Sequence, residues 1–409
     1  MSSWPVRCTL ICLCLAQITL AQEFKLWNRK VQVHGFFSQG FVYTDHNNWL
    51  TMNTSQGSGA MTDMGLNMSS QLTDKFRVGA QVYDRNLGQL GQWHPSLDWA
   101  VADYRFRNWF GVRAGKVKTI LGLYNDSQDL DFLHVFALLP QGVYPADMRD
   151  TTIAHRGGDV YGSFPLLHRI GEFGYTAYAG YQNNSIYSGY PYLATQYGAF
   201  FREVPGSQYG ADLRWNTPWK GLMMGASRVN QEVTAKGQYR SDLYLPTGSI
   251  PYQTSTKAYW TNQFYGEYIW HKLRLDAEYR RYFVRYPILP GSDVGTDVRA
   301  WYIAGSYRVW KYLQVGSYYS RYTILSDCGG LAAAFIPPQT DTSLPQNHVY
   351  DKVLAARFDL NHFLYLKLEG HFINGYGLGP YPDGFYPQQN PTGFKPNTVA
   401  LVVKTGFRF

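Results

Sequence analysis

"KLRLDAEYR", residues 272–280, alternates without a break. Leu273, Leu275, Ala277 and Tyr279 share one side of an extended strand, and Lys272, Arg274, Asp276, Glu278 and Arg280 share the other. Charged side chains are not buried unpaired in a dry core. A strand this regular therefore parts water from something apolar. The pattern recurs in "YGADLRWN", residues 209–216, where Tyr209, Ala211, Leu213 and Trp215 oppose Asp212, Arg214 and Asn216. It recurs again in "YLKLEGHF", residues 365–372, where Leu366, Leu368 and Phe372 oppose Lys367, Glu369 and His371.

Extended over the chain, the period-2 test gives sixteen strands, at about 31–44, 61–73, 75–85, 96–106, 109–119, 157–163, 171–182, 208–216, 220–232, 256–270, 272–285, 296–310, 312–323, 349–361, 363–374 and 397–409. Their connections alternate in length. Short links stand at 73–74, 107–108, 217–218, 271, 310–311 and 361–362, with an intermediate one at 164–170. Long links fill 45–60, 86–95, 120–156, 183–207, 233–255, 286–295, 324–348 and 375–396. Trp109, Trp215, Trp219, Trp270, Trp310, Tyr312, Phe363 and Tyr365 flank the short links and read as one aromatic girdle, since amphipathic rings favour a headgroup boundary.

Composition agrees. Tyr 34, Phe 23 and Trp 12 make the chain 17% aromatic, Gly is 40, and charged residues are only 16%. Residues 1–22, with Arg7, an apolar run from Cys8 to Leu20 and small residues at Thr19 and Ala21, read as a secretory signal cleaved near Ala21 or Gln22. Beyond it no apolar run reaches membrane-helix length, so the membrane candidate is a β-barrel, residues 23–409. Cys328 is the only cysteine outside the signal, which excludes an internal disulfide. The net charge of +8 comes with no basic block, so nucleic acid is not an expected partner. The ten histidines show no H-E-x-x-H spacing and G-x-S-x-G is absent, so no metal, cofactor or catalytic role is expected.

The last stretch, "TVALVVKTGFRF" at residues 398–409, puts Val399, Leu401, Val403, Phe407 and Phe409 on one face and Lys404 and Arg408 on the other. With the signal, the sixteen-strand rhythm and a dominant third long loop, this closing strand resembles Gram-negative porins over essentially the whole chain. Segments such as "VGAQVYDRNLG" and "VRAGKVKTILGLYND" resemble a branch near the phosphate-selective porins. The resemblance implies a sixteen-stranded antiparallel barrel in the outer membrane, a homotrimer, and a passive pore for small hydrophilic solutes. It also implies that Val403, Phe407 and Phe409 form the signal read by the barrel-assembly machinery.

By the same resemblance, the loop at about 120–156 folds inward and narrows the bore. Asp126 reads as the cap of a short helix, with Asp129 three positions on and Pro140 beyond its end; Leu130, Leu133, Phe136 and Ala137 would share one face. Asp126, Asp129, Asp131, Asp147 and Asp150 would then form an acidic edge. Arg77, Arg105, Arg113, Arg274, Arg280, Arg357 and Lys367 would form a basic wall opposite, giving a transverse field across a water path. Inward cations outnumber inward acids such as Asp103, Asp212, Asp276, Glu278, Asp359 and Glu369, which predicts a weak anion preference. Inward tyrosines (Tyr83, Tyr265 and Tyr282) leave a sugar- or phosphate-specific channel open, and an adhesive barrel with a plugged lumen is the third reading.

Overall fold

Alternation governs every strand of the wall. The computed structural model describes residues 22–26, 29–166, 170–240, 248–289, 291–378 and 384–409. The expected signal, apart from Gln22, lies outside the described residues, as do parts of the links at 164–170, 233–255 and 375–396. The first eight wall strands are β1 Arg29–Thr44, β2 Ser58–Thr73, β3 Phe76–Leu87, β4 Ser96–Arg107, β5 Phe110–Lys118, β6 Ala154–Pro165, β7 Glu172–Asn184 and β8 Ala199–Asn216. The second eight are β9 Leu222–Tyr239, β10 Ala258–Trp270, β11 Leu273–Leu289, β12 Ser292–Trp310, β13 Leu313–Gly330, β14 His348–Asp359, β15 Leu364–Gly375 and β16 Asn397–Arg408.

Each strand pairs antiparallel with the next, and β16 closes on β1 from Ala400↔Thr44 to Arg408↔Phe36. Phe409 continues that ladder by exchanging both backbone hydrogen bonds with Gly35. Closure leaves no unpaired edge in the wall, the condition for standing in hydrocarbon. Two short strands are added at the ends of the wall: Gln22–Leu26 pairs with β1, and Ile250–Ser255 pairs with the far end of β9.

Outward side chains are apolar and bare: Leu213, Phe264, Ile303, Leu354 and Phe372 are all more than half exposed. Inward on the same strands stand Asp212, Gln263, Tyr302, Val353 and His371, all buried. A belt of this kind suits lipid and not water. Trp109, Trp219, Trp270, Trp310 and Tyr312 project from the short-turn rim. Tyr365 is the exception to the expected girdle. It is 3% exposed and turns inward, its hydroxyl donating to Asp131 at 2.7 Å.

All sixteen expected strands form, but several are longer than expected on the long-loop side. Strands β8, β9 and β13 have 18 residues each and β12 has 19, whereas about 9–11 suffice to cross a bilayer. The wall therefore stands well beyond the hydrocarbon on that side. The expected long link at 286–295 is instead a tight hairpin, with Gly291 at φ +75° between Leu289 and Ser292. The expected link at 183–207 contains an α-helix, Gly189–Gln196, before β8 begins.

The main apolar core lies inside the cylinder. Val135, Phe136, Ala137, Leu138, Val143 and Tyr144 from the long third loop pack with Val298, Ala300, Tyr302, Tyr318, Tyr322 and Val353 from the inner wall. Trp49, Leu50 and Phe385 from the first and last long loops join the same core.

Candidate functional site

The segment between Lys118 and Ala154 leaves the end of β5 and crosses to the inner faces of distant strands. Its first turns put Gly122 N–H on Ser227 Oγ of β9 at 3.0 Å, and Leu123 N–H on Glu278 of β11 at 3.1 Å. Tyr124 and Tyr144 donate hydroxyls to Asp276 and Glu278, each at 2.7 Å. Arg280 donates to the Val143 carbonyl at 2.5 Å. Farther round, Arg357 of β14 donates to the carbonyls of Phe132 and His134 at 2.6 and 2.9 Å. Lys367 of β15 donates to the carbonyls of Asp131 and Phe136 at 2.7 and 2.8 Å. Glu369 accepts the backbone N–H groups of Ala137 and Leu138 at 2.6 and 3.1 Å.

These contacts explain why the expected helix after Asp126 is absent. Residues 124–134 form successive tight turns, from Ser127 N–H on Tyr124 O to His134 N–H on Asp131 O, with one 3₁₀ turn at Asp131–Leu133. An α-helix would use the carbonyls of 131, 132 and 134 for its own N–H groups. Here guanidinium and ammonium donors from the wall take them, and such charge-assisted bonds are about twice as strong as neutral ones. The apolar face divides accordingly: Phe136 and Ala137 are buried in the core while Leu133 stays half exposed.

Four of the five loop carboxylates are bound within the protein. Asp129 meets Lys118 at 2.7 Å and accepts from Gln81 at 2.7 Å. Burial alone would raise its pKa, but Lys118 and Arg149 outweigh burial and hold it below the usual range. Asp131 meets Lys367 at 3.0 Å and Lys404 at 3.1 Å, and the two cations likewise overcome burial. Asp150 meets Arg85 at 3.0 Å and Arg149 at 3.4 Å, with the same outcome. Asp147 differs. It is fully buried, accepts the Tyr386 hydroxyl at 2.6 Å, and its other oxygen has no partner. Burial pushes its pKa up to about 6, with Tyr386 and Arg85 opposing. Asp126, half-buried, has no such partner among the described residues and borders a larger cavity beside β3 to β5.

The basic residues separate into two groups. Arg280, Arg357 and Lys367 grip the loop, and Arg274 pairs with Glu267 and Asp276 beneath Tyr124. Arg77, Arg105 and Arg113 line what the loop leaves open along β3 to β8. One cavity there has a volume of about 480 Å³ and includes Arg105, Tyr161, Ser163, Thr176, Asp212 and Arg214 on its walls. A second, of about 210 Å³, includes Arg77, Trp99, Asp103, Arg113, Lys118 and Asp126. Ile120, where the loop starts inward, borders both. Arg113 pairs with Asp159 at 2.9 Å, Arg214 with Asp212 at 3.2 Å, and Asp103 accepts the Tyr161 hydroxyl at 2.5 Å. Arg77 donates to Ser69 Oγ at 3.2 Å and stands opposite Asp103 in the ladder, with no carboxylate in ion-pair contact among the described residues.

The outcome is two cavities that share Ile120 and are lined by more cations than acids, beside a loop whose acids, Asp126 apart, are bound within the protein. The sequence also offers Arg149 as a counter-ion for the loop acids; it meets Asp150 at 3.4 Å and Asp129 at 3.7 Å, but its shortest pair is with Asp98 at 2.8 Å, and it sits 3.9 Å above the Tyr83 ring. Sequence reading gave Glu278 and Glu369 no role as acceptors for loop N–H groups. Inward parity marks both glutamates, whereas Asp98 has the outward parity of Tyr104 and is turned inward by the register shift opposite Gln81 and Val82; the partners of all three come from a segment without periodicity.

No protein-family model matches the chain, and no curated protein matches it in sequence. Solved structures do match in fold. The outer-membrane OmpT of Vibrio cholerae superposes with TM-score 0.57 at 11% identity, covering 95% of this chain and 100% of that one. The trimer form of OmpT gives 0.55 at 11% identity, covering 93% and 99%. The anion-selective porin from Comamonas acidovorans gives 0.53 at 12% identity, covering 93% and 100%. The chain has the porin fold.

Proposed function

We propose that this protein is an outer-membrane porin that lets small hydrophilic solutes and ions diffuse through a corridor displaced to one side of its bore, with a preference for anions. The observation that carries the reading is the separation of charge. Acids of the third loop are consumed by Lys118, Arg149, Lys367 and Lys404, while Arg77, Arg105, Arg113 and Arg214 border the open volume. A cationic lining with few free carboxylates raises the local anion concentration. The narrowing function of loop 120–156 rests on its docking to β9–β16 and to Gln81, Arg85 and Asp98 of β3 and β4, which leaves Arg77, Arg105 and Arg113, nearer the short turns, as the free wall.

Three further roles belong to the same reading. Outer-membrane residence is supported by the apolar belt and closed wall. The outward residues Ala102, Ala114, Gly158 and Ala179 stand side by side on β4 to β7 and offer a flat face to neighbouring copies in a homotrimer. Outward Val403 and Phe407, with Phe409 against Phe407, offer an aromatic end strand to the assembly machinery.

The competing reading, a plugged barrel, draws on the apolar core within the cylinder. Reconstitution in a planar bilayer under a potassium chloride gradient separates the two. We expect discrete conductance with a reversal potential on the chloride side, moved toward zero by R77Q/R105Q. No conductance would select the plug, and a cation-side potential would overturn the anion assignment.

A further inference from the structure

The outer surface carries a row of cations where a lipid-facing wall has no use for them. Arg228 of β9 stands opposite Asn262 of β10, Asn262 opposite Arg281 of β11, Arg281 opposite Arg299 of β12, and Arg299 opposite Thr323 of β13. Directly opposite residues share a face. These positions have the outward parity of Ala226, Phe264, Tyr279 and Trp301. Arg228 is exposed, and the Arg281 and Arg299 side chains are 41% and 46% exposed.

The next row toward the short turns reads Phe264, Tyr279, Trp301, Arg321 and Tyr350 across five strands. Aromatics there mark the second headgroup boundary. Arg281 lies about ten residues up from the short turn at 271–272, the length of strand that crosses a hydrocarbon layer. The guanidinium row thus sits just beyond the hydrocarbon, at the depth of lipid phosphates.

Its charge is not cancelled by neighbours. Asp297 accepts two bonds from Arg281 at 2.9 Å and one from Arg299 at 3.0 Å, so one carboxylate serves two cations. Among the described residues, Arg228 bonds two neutral amide oxygens, of Asn262 at 3.0 Å and Asn230 at 3.1 Å. Arg228 and Arg281 both stand 5.5 Å from the Trp260 ring, and Arg321 lies 4.2 Å over Tyr350. Stacking on a ring holds a guanidinium plane while leaving N–H edges for an external acceptor. Lys352, exposed and outward, adds a further cation beside Tyr319. The outward residues on the other side of the wall, Phe41, Tyr43, Val399 and Leu401, carry no charge.

We propose that this face, Arg228, Arg281, Arg299, Arg321 and Lys352, binds the phosphate groups of an anionic phosphoglycolipid in the outer leaflet. Charge complementarity selects the occupant. In the homotrimer proposed above, copies meet through the uncharged small-residue face of β4 to β7, whereas lipid phosphates supply bidentate acceptors at the depth of this one.

The experiment is lipid binding by native mass spectrometry, titrating the detergent-solubilised protein with diphosphoryl lipid A or with phosphatidylethanolamine. Wild type should hold lipid A at least tenfold more tightly than phosphatidylethanolamine. R228Q/R281Q/R299Q should lose at least tenfold in lipid A affinity while keeping the unheated gel mobility of a folded barrel. R77Q/R105Q, inside the bore, should leave lipid affinity unchanged. If the triple variant does not fold, R299Q alone should weaken binding about threefold. Unchanged affinity in the outward variants would overturn the proposal. So would displacement of lipid A by millimolar inorganic phosphate, or loss of an oligomer mass in place of a lipid mass.

Discussion

Lys367 offers the sharpest test of how the third loop is held. Its side chain has no solvent exposure, and its ammonium meets Asp131 Oδ1, the Asp131 carbonyl and the Phe136 carbonyl within 3.0 Å. Lys367→Met keeps the length and removes the charge. Two carbonyls then lose their donor in a buried site. Asp131 keeps Lys404 and the Tyr365 hydroxyl, so its carboxylate is only partly exposed to the loss. Breaking one partner of a buried pair costs roughly 3–5 kcal/mol, and the remaining Lys404 contact places this case near the lower end. About 3 kcal/mol multiplies the ratio of released to docked loop by more than a hundred.

The loop's other anchors at Arg357, Glu369 and Arg280 keep it near the wall, so the release is local to residues 131–136. In a bilayer, single-channel current should rise and become noisier, and larger sugars should enter in liposome swelling. Lys404→Gln should have the same direction and a smaller effect, because Lys367 still neutralises Asp131. A folded Lys367→Met barrel with wild-type conductance, noise and size exclusion would refute the docking argument.

Two other outcomes follow from single contacts. Asp147 has its pKa pushed up to about 6 by burial, above the ordinary 3.8, so docking of its segment favours the protonated acid. That contribution is present at low pH and is lost as pH rises through 6, a swing of about 3 kcal/mol. Asp129, Asp131 and Asp150 are held low and so stay ionised over the same interval. Conductance should fall on acidification from pH 7.5 to 5, and D147N should flatten the profile; an unchanged slope in D147N would rule out this acid. Deleting Phe409 removes the backbone pair with Gly35 and the ring beside Phe407, so the outer-membrane yield should drop severalfold while the refolded barrel conducts normally. Full yield would remove Phe409 from the assembly signal.

The wall was legible because two solvents enforce one period. Between Leu273 and Arg280, hydrocarbon and the bore each reject the wrong side chain, and parity assigns every residue of the run. Beyond the membrane that constraint lapses. Residues 199–206 form the first half of β8, yet Glu203 there pairs with Lys236 across an exposed ladder, and no apolar face announces the strand. The loop was less legible still. Asp126 and Asp129 look like a helix start when only local chemistry is weighed, but carbonyl capture by Lys367 and Arg357 comes from residues more than two hundred positions away.

The same non-local chemistry changes what the pore's charges can do. Paired acids facing a free basic wall would orient dipoles across a central path. Here the acids are sequestered, and the remaining imbalance lies along one side. Arg77 and Arg105 are exposed on β3 and β4, while Arg113 and Arg214 keep their carboxylate partners. A permeant anion would therefore be handed along a cationic rail, with Asp103, Asp126 and Asp212 as the acids it passes. Selectivity should then depend on Arg77 and Arg105 far more than on any loop aspartate, because only charges without an internal counter-ion reach the solute undiminished.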